Sequence, residues 1–281
     1  DHLGGPANFY VEPKTNELFI ADGYINKRVV VYDAATGKYK RHWGAYGKAP
    51  NDTEKYQYPV RVSEPPQQYS TLHGLVGSKD GLIYVSDRRG NRIQVFRQNG
   101  EFLMEKFVRP ETGGSGSGFS LQFSRDPEQS ILYLMDGTNQ RVWILRRKDL
   151  AILDRFGKPG RQAGEFIRAH MIAIDSKNRM YTGEAGNGRR IQRWILKGTR
   201  PASSVKPVTL PPGRARLWTS PVSTGPPLAA MAMGIVELAA LAACAAGVPR
   251  VTITSTLSLI SSSAKLGRRS GEPIADRSSV T

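Results

Sequence analysis

Four times, the chain ends a short apolar run on an acidic residue and then, a tight turn later, opens the next run with an arginine. The copies are Leu18 to Asp22 followed by Arg28 to Tyr32, Leu82 to Asp87 followed by Arg92 to Phe96, Leu132 to Asp136 followed by Arg141 to Leu145, and Met180 to Glu184 followed by Arg190 to Trp194. The acidic anchors stand 65, 49 and 48 residues apart. Self-similarity at such a period marks units that cannot bury an apolar face alone and must stack on their neighbours. Each unit reads strand, turn, strand, so the array is all-β and is expected to be a β-propeller.

The same order of parts recurs within a unit. Residues 170–175 read as a first strand, 179–184 as a second and 190–196 as a third, with turn-forming residues between them. Matching first turns are 13–16, 78–81 and 126–129. An outer fourth strand follows in three copies, at Lys38 to Trp43, Glu101 to Phe107 and Ala151 to Phe156; Thr36-Gly37 and Asn99-Gly100 are hairpin signals ahead of the first two. Four antiparallel strands make a propeller blade. The blades are therefore placed at about 1–45, 70–108, 117–157 and 165–198, within a propeller segment 1–200. The first interval holds the tyrosine- and proline-rich insertion 45–70, expected to pack over one end of the ring.

From about Pro201 the character changes. Residues 201–281 hold only Glu237, Glu272 and Asp276 as acids and show no blade alternation, so they read as a low-complexity, disordered tail with a short helix at 228–246. That alanine-rich run has the length of a bilayer span, but Glu237 near its centre argues against one. The net charge of +16 is spread over the units rather than gathered in a block, which fits a solvated surface better than a nucleic-acid face. One cysteine excludes an internal disulfide and a cysteine-rich zinc site. Neither nucleic acid nor membrane is an expected partner.

The repeat resembles the NHL family, whose blades close a strand on Asp and open the next with Asn-x-Arg; Asp87-Arg-Arg-Gly-Asn91-Arg92 is the nearest copy. Read this way, the acid and arginine pairs are scaffold that pins neighbouring strands through charge-assisted hydrogen bonds. A narrower resemblance covers about residues 1–198. Ala21-Asp-Gly-Tyr24, Lys38 to Gly44, Leu72-His73-Gly-Leu, Asp87-Arg88 and Ala169-His170-Met-Ile-Ala look like peptidyl-α-hydroxyglycine α-amidating lyase. The resemblance implies a six-bladed ring, of which about four blades are recognisable, with an axial zinc ion held by one histidine from every second blade. His73 and His170 occupy matching first-strand positions two blades apart. Phe119-Ser120 stands at that place in the blade between them, and Asn8 in the blade before His73.

Without the family, the spacing still makes chemical sense: first strands line the channel, imidazole nitrogen suits zinc, and a catalytic zinc takes three protein ligands plus an open position. The third histidine would belong to a blade ahead of Asp1, so the chain reads as incomplete. The resemblance further implies that Tyr24 acts as a base at the metal and that Arg88 lies near the substrate. A phenol ionises near 10, so such a base needs cationic neighbours. Met171 replaces the family's calcium-binding carboxylate and Arg168 a methionine near the substrate, which puts calcium in doubt. His42 and His2 read as structural or solvated.

The function these residues imply is a zinc-dependent carbon–nitrogen lyase acting on a small-molecule or peptide ligand in the central channel, in a periplasmic or secreted setting. The alternative is a non-catalytic NHL scaffold binding protein or RNA. A lactonase-type hydrolase would need axial carboxylates, and none stands at the equivalent first-strand positions.

Overall fold

The computed structural model describes residues 2–195 and residue 207. The tail 201–281 apart from residue 207, with the helix expected at 228–246, lies outside the described residues, as does the end of the last blade. The described chain is all strand and turn, save one short 3-10 turn at Ala45–Gly47. Blade one is β1 (Pro6–Glu12), β2 (Glu17–Asp22), β3 (Arg28–Asp33) and β4 (Tyr39–Trp43). Blade two is β5 (Leu72–Gly77), β6 (Leu82–Asp87), β7 (Arg92–Arg97) and β8 (Phe102–Phe107). Blade three is β9 (Ser120–Phe123), β10 (Ile131–Asp136), β11 (Arg141–Arg146) and β12 (Ile152–Phe156). A two-residue parallel pair, β13 (Lys158–Pro159) and β14 (Glu165–Phe166), precedes blade four, formed by β15 (Ala169–Ile174), β16 (Arg179–Glu184) and β17 (Ile191–Ile195). All strands within the blades pair antiparallel in sequence order, and the structure is a β-propeller. Four blades are present among the described residues, where the resemblance implies six.

Alternation along each strand sends one set of side chains toward the next blade, and the core lies between blades. Phe19, Val29, Val31 and Trp43 of blade one meet Leu75, Ile83, Val85 and Phe96 of blade two. Tyr84, Ile93 and Val95 meet Leu121, Leu134 and Trp143 of blade three. Tyr133, Met135 and Val142 meet Ile172, Ile174 and Met180 of blade four. Trp143 is fully buried; truncating such a side chain typically costs about 3–5 kcal/mol. First strands are neighbours in the order β1, β5, β9, β15, which sets their leading residues beside one another.

The insertion 45–70 closes on blade two. Arg92 donates to the carbonyls of Pro66 and Gln68, Tyr46 donates to Glu105, and Tyr69 is fully buried.

The acidic anchors do more than pair with arginine. Asp87 Oδ1 accepts from the backbone N–H of Ser70 and Thr71, both at 3.0 Å, while Oδ2 accepts from Arg92 Nε at 3.2 Å. Glu184 likewise accepts from the N–H of Ile167 and Arg168 and pairs with Arg190. Asp22 accepts from Gly4 N–H at 2.7 Å and pairs with Arg28 at 3.1 Å. Each of these carboxylates thus fixes the segment leading into the first strand of its own blade. Blade three departs from the expected pairing. Asp136 accepts from Trp143 Nε1 and Asn139 Nδ2, both at 2.9 Å, and forms no ion pair with Arg141, its cross-strand partner, among the described residues. The indole of Trp143 reaches the carboxylate from inside the blade and takes the place a guanidinium holds elsewhere.

Candidate functional site

Register explains how the two histidines come together. In β5, Leu72 pairs with Asp87 and Gly74 with Ser86, leaving His73 as an extra, bulged residue. In β15, Ala169 pairs with Glu184 and Met171 with Gly183, leaving His170 bulged in the same way. A bulge kinks its strand and re-aims the unpaired side chain. Blade one has the same irregularity between Pro6 and Asn8, so the residue equivalent to His73 is Ala7, not Asn8 as strand counting implied. In blade three Ser120 pairs with Met135 and Phe119 N–H also bonds the Met135 carbonyl, which makes Phe119 the equivalent residue. The series across the blades is Ala7, His73, Phe119, His170.

His73 and His170 meet edge to face, with ring centroids 4.9 Å apart. Phe119 lies against both, at 5.8 and 5.6 Å. His73 Nδ1 lies 2.5 Å from the Phe119 carbonyl oxygen. A carbonyl cannot donate, so Nδ1 carries the proton and Nε2 presents its lone pair. The Tyr24 hydroxyl lies 3.0 Å from that Nε2 and donates to it. Burial pushes the His73 imidazole well below its ordinary value, helped by His170 and Arg88. Burial, then Arg88 and Arg168, lower His170 to about 4. Both rings are therefore neutral near pH 7. The ring nitrogens of His170 make no hydrogen bond among the described residues.

Tyr24 reaches His73 because the residue before it is glycine. A Cβ on Gly23 would stand 1.9 Å from the Leu72 carbonyl oxygen, so blade one can touch blade two here only without a side chain. At the next junction the small residue changes sides. Arg88 occupies the place of Gly23, and Gly116 in the segment leading into blade three, where a Cβ would stand 1.9 Å from the Arg88 carbonyl oxygen, leaves room for it. The Arg88 guanidinium stacks 4.0 Å above the Phe119 ring, and its Nε donates to the Ser115 carbonyl. Burial lowers Arg88 to about 10, with Arg168 and Arg89 pushing in the same direction and Tyr24 opposing. Arg88 is thus a half-buried cation held by a ring and a carbonyl.

A cleft of about 510 Å³ opens beside Tyr24, lined by Lys27, Tyr56, Tyr58, Ser70 and Arg89 among others. Burial raises both Tyr56 and Tyr58 above the ordinary phenol value. The tyrosine-rich composition of the insertion was the signal for this wall, although its role at the site is not legible from sequence. Phe119 was visible only as a missing histidine, yet it supplies the acceptor that orients His73 and the shelf that carries Arg88. His42 sits on the outer strand β4, bonded to the Tyr39 hydroxyl at 2.8 Å, and His2 is exposed; neither approaches the site.

The donor set suits zinc as far as it goes. Two neutral imidazoles are side by side, one has its tautomer fixed through a backbone carbonyl as metal-ligating histidines commonly do, and the other has uncommitted nitrogens. No group of three or more His, Cys, Asp or Glu able to hold a metal ion occurs among the described residues. The candidate calcium position, Met171, offers no hard oxygen ligand.

Fold and hub together define a β-propeller with paired histidines on alternate blades. Its resemblance is to the amidating enzymes. The chain is 27% identical over 195 residues to the peptidylglycine alpha-amidating monooxygenase of Rattus norvegicus, covering 66% of this chain and 18% of that protein. It is 28% identical over 193 residues to peptidyl-glycine alpha-amidating monooxygenase B of Xenopus laevis, covering 66% and 20%. The chain thus spans about a fifth of the length of these curated relatives. No family model matches. Among solved structures, U3-55K superposes with a TM-score of 0.50 at 14% identity, over 70% of this chain and 50% of that one, a likeness of fold alone.

Proposed function

We propose that this propeller is a carbon–nitrogen lyase of the amidating type, with zinc at His73 and His170 and a third ligand from outside the described residues, in a ring of six blades. The observation that carries the reading is the convergence of Tyr24, His73, His170 and Arg88 from three blades. Zinc bound there would supply a Lewis acid that polarises a carbinol oxygen. Tyr24 would act as the phenolate, its proton given up to solvent when zinc takes the His73 Nε2 lone pair that the hydroxyl now bonds at 3.0 Å, and in that form would take the proton of the carbinol hydroxyl. Arg88, fixed by Phe119 and Ser115, binds the substrate carboxylate. The hydroxyl oxygen becomes a carbonyl as the C–N bond breaks, and the proton held by Tyr24 passes to the departing amide nitrogen. An acyl-α-hydroxyglycine thereby yields an amide and glyoxylate. A peptide ligand for the cleft beside Tyr24, and a secreted or periplasmic setting, go with this reading.

Two measurements test it: zinc content of the purified full chain, and glyoxylate released from an N-acyl-α-hydroxyglycine. His73→Ala and His170→Ala should each abolish stoichiometric zinc, and Tyr24→Phe should retain zinc but lose turnover by about 100-fold or more. Unchanged metal content in both histidine variants would end the proposal.

A further inference from the structure

Arginines in the blade frames characteristically end on carboxylates, as Arg28, Arg41, Arg92, Arg147 and Arg190 do. Those around the imidazoles do not. Arg88 commits its Nε to a carbonyl and its plane to Phe119, and it meets no acid. Arg168, two residues ahead of His170, is exposed, and its side chain has no hydrogen bond or ion pair among the described residues. Its root is fixed, because its N–H goes to Glu184 and its carbonyl accepts from Ala185 N–H at 3.0 Å. Its Cδ and Nη1 pass over Gly186, 3.6 and 3.7 Å from where a Cβ would stand. Arg168 leads by two residues into His170, whose ring lies 5.6 Å from Phe119, the ring that carries the Arg88 guanidinium at 4.0 Å. The two arginines therefore stand on either side of the same rings, neither with an ion pair among the described residues, and a bound anion would meet both.

We propose that the hub takes a ligand bearing two carboxylates, one held by Arg88 against Phe119 and the other by Arg168. Resting on the lyase reading, this makes the substrate an acyl-α-hydroxyglycine whose acyl part carries an acidic side chain. The preference itself is a binding property and needs no turnover to be seen.

Calorimetric titration of the full chain with succinate and with propionate tests it. Succinate should bind about tenfold tighter, the worth of one added charge-assisted contact. Arg168→Met should erase that advantage while leaving propionate unchanged, Arg168→Lys should keep part of it, and Arg193→Met, an exposed arginine on β17, should leave it intact. Equal affinities in the wild type, an advantage that survives Arg168→Met, or an equal loss in Arg193→Met would each overturn the proposal. A succinate preference with no glyoxylate release in the turnover assay would remove the lyase reading and uphold this one.

Discussion

Asp87 and Asp136 occupy the same place in consecutive blades, yet one forms an ion pair with an arginine and the other, among the described residues, does not. Asp87 has Arg92 at 3.2 Å, both side chains fully buried, and its free lone pairs hold the segment that delivers His73. Asp136 is equally buried but is met by an indole and an amide, and burial raises it to about 6. The difference does not follow the hub residue, since blade one presents only Ala7 there and still pairs Asp22 with Arg28; in blade three it follows Trp143, whose indole fills the place of the guanidinium.

The sharpest way to break this comparison is to remove one arginine at a time. Arg92→Ala strands a buried carboxylate and should cost about 3–5 kcal/mol in urea unfolding. Arg141→Ala, which breaks no ion pair, should stay within about 0.5 kcal/mol. Equal losses would mean that the two anchors are alike after all.

Next comes pH. A group whose folded value is raised binds more protons in the native state, so its stabilising contribution is complete below the unfolded value and is lost as pH rises through the folded one. For Asp136 that window runs from 3.8 to about 6. The depressed imidazoles act oppositely in the same range, with stability lost as pH falls through about 4 for His170. Only a difference between proteins isolates the carboxylate. Stability of the wild type relative to Asp136→Asn should improve by up to about 3 kcal/mol as pH drops from 7 to 4. A flat difference would show that the Trp143 and Asn139 contacts keep Asp136 at its ordinary value.

The smallest effect is on the zinc proposed for the hub. Asp87→Asn weakens the hold on Ser70 and Thr71, so zinc affinity should fall by about tenfold, as outer-shell losses commonly do. Asp136→Asn should leave it unchanged. Parity between these two variants would detach the anchor from the site.

The blades were legible in the sequence because turn chemistry and period-two alternation are local: β4 and β8 each start within a residue of where the hairpin signals put them, and β12 within a residue of its expected start at Ala151. The pairing of His73 with His170 was also legible, through repeat equivalence. Ala7 was not, because a bulge inserts one residue without any mark in composition, and counting then settles on Asn8. The run holding Trp143 was readable as a strand, but the bond of its indole to Asp136 was not, since that contact depends on rotamer and blade interior rather than spacing. The tyrosine wall of the insertion escaped for a similar reason: no periodicity constrains where Tyr56 and Tyr58 lie.

The bulge at the head of β1, β5 and β15 takes one position in each out of the paired register, and blade three sets Phe119 at the same place. A side chain there can be exchanged without disturbing the pairing that builds the blade, so equivalent positions of one frame carry a methyl, two imidazoles and a phenyl group. New chemistry at this centre therefore requires substitutions at the released positions, while the blades themselves stay as they are.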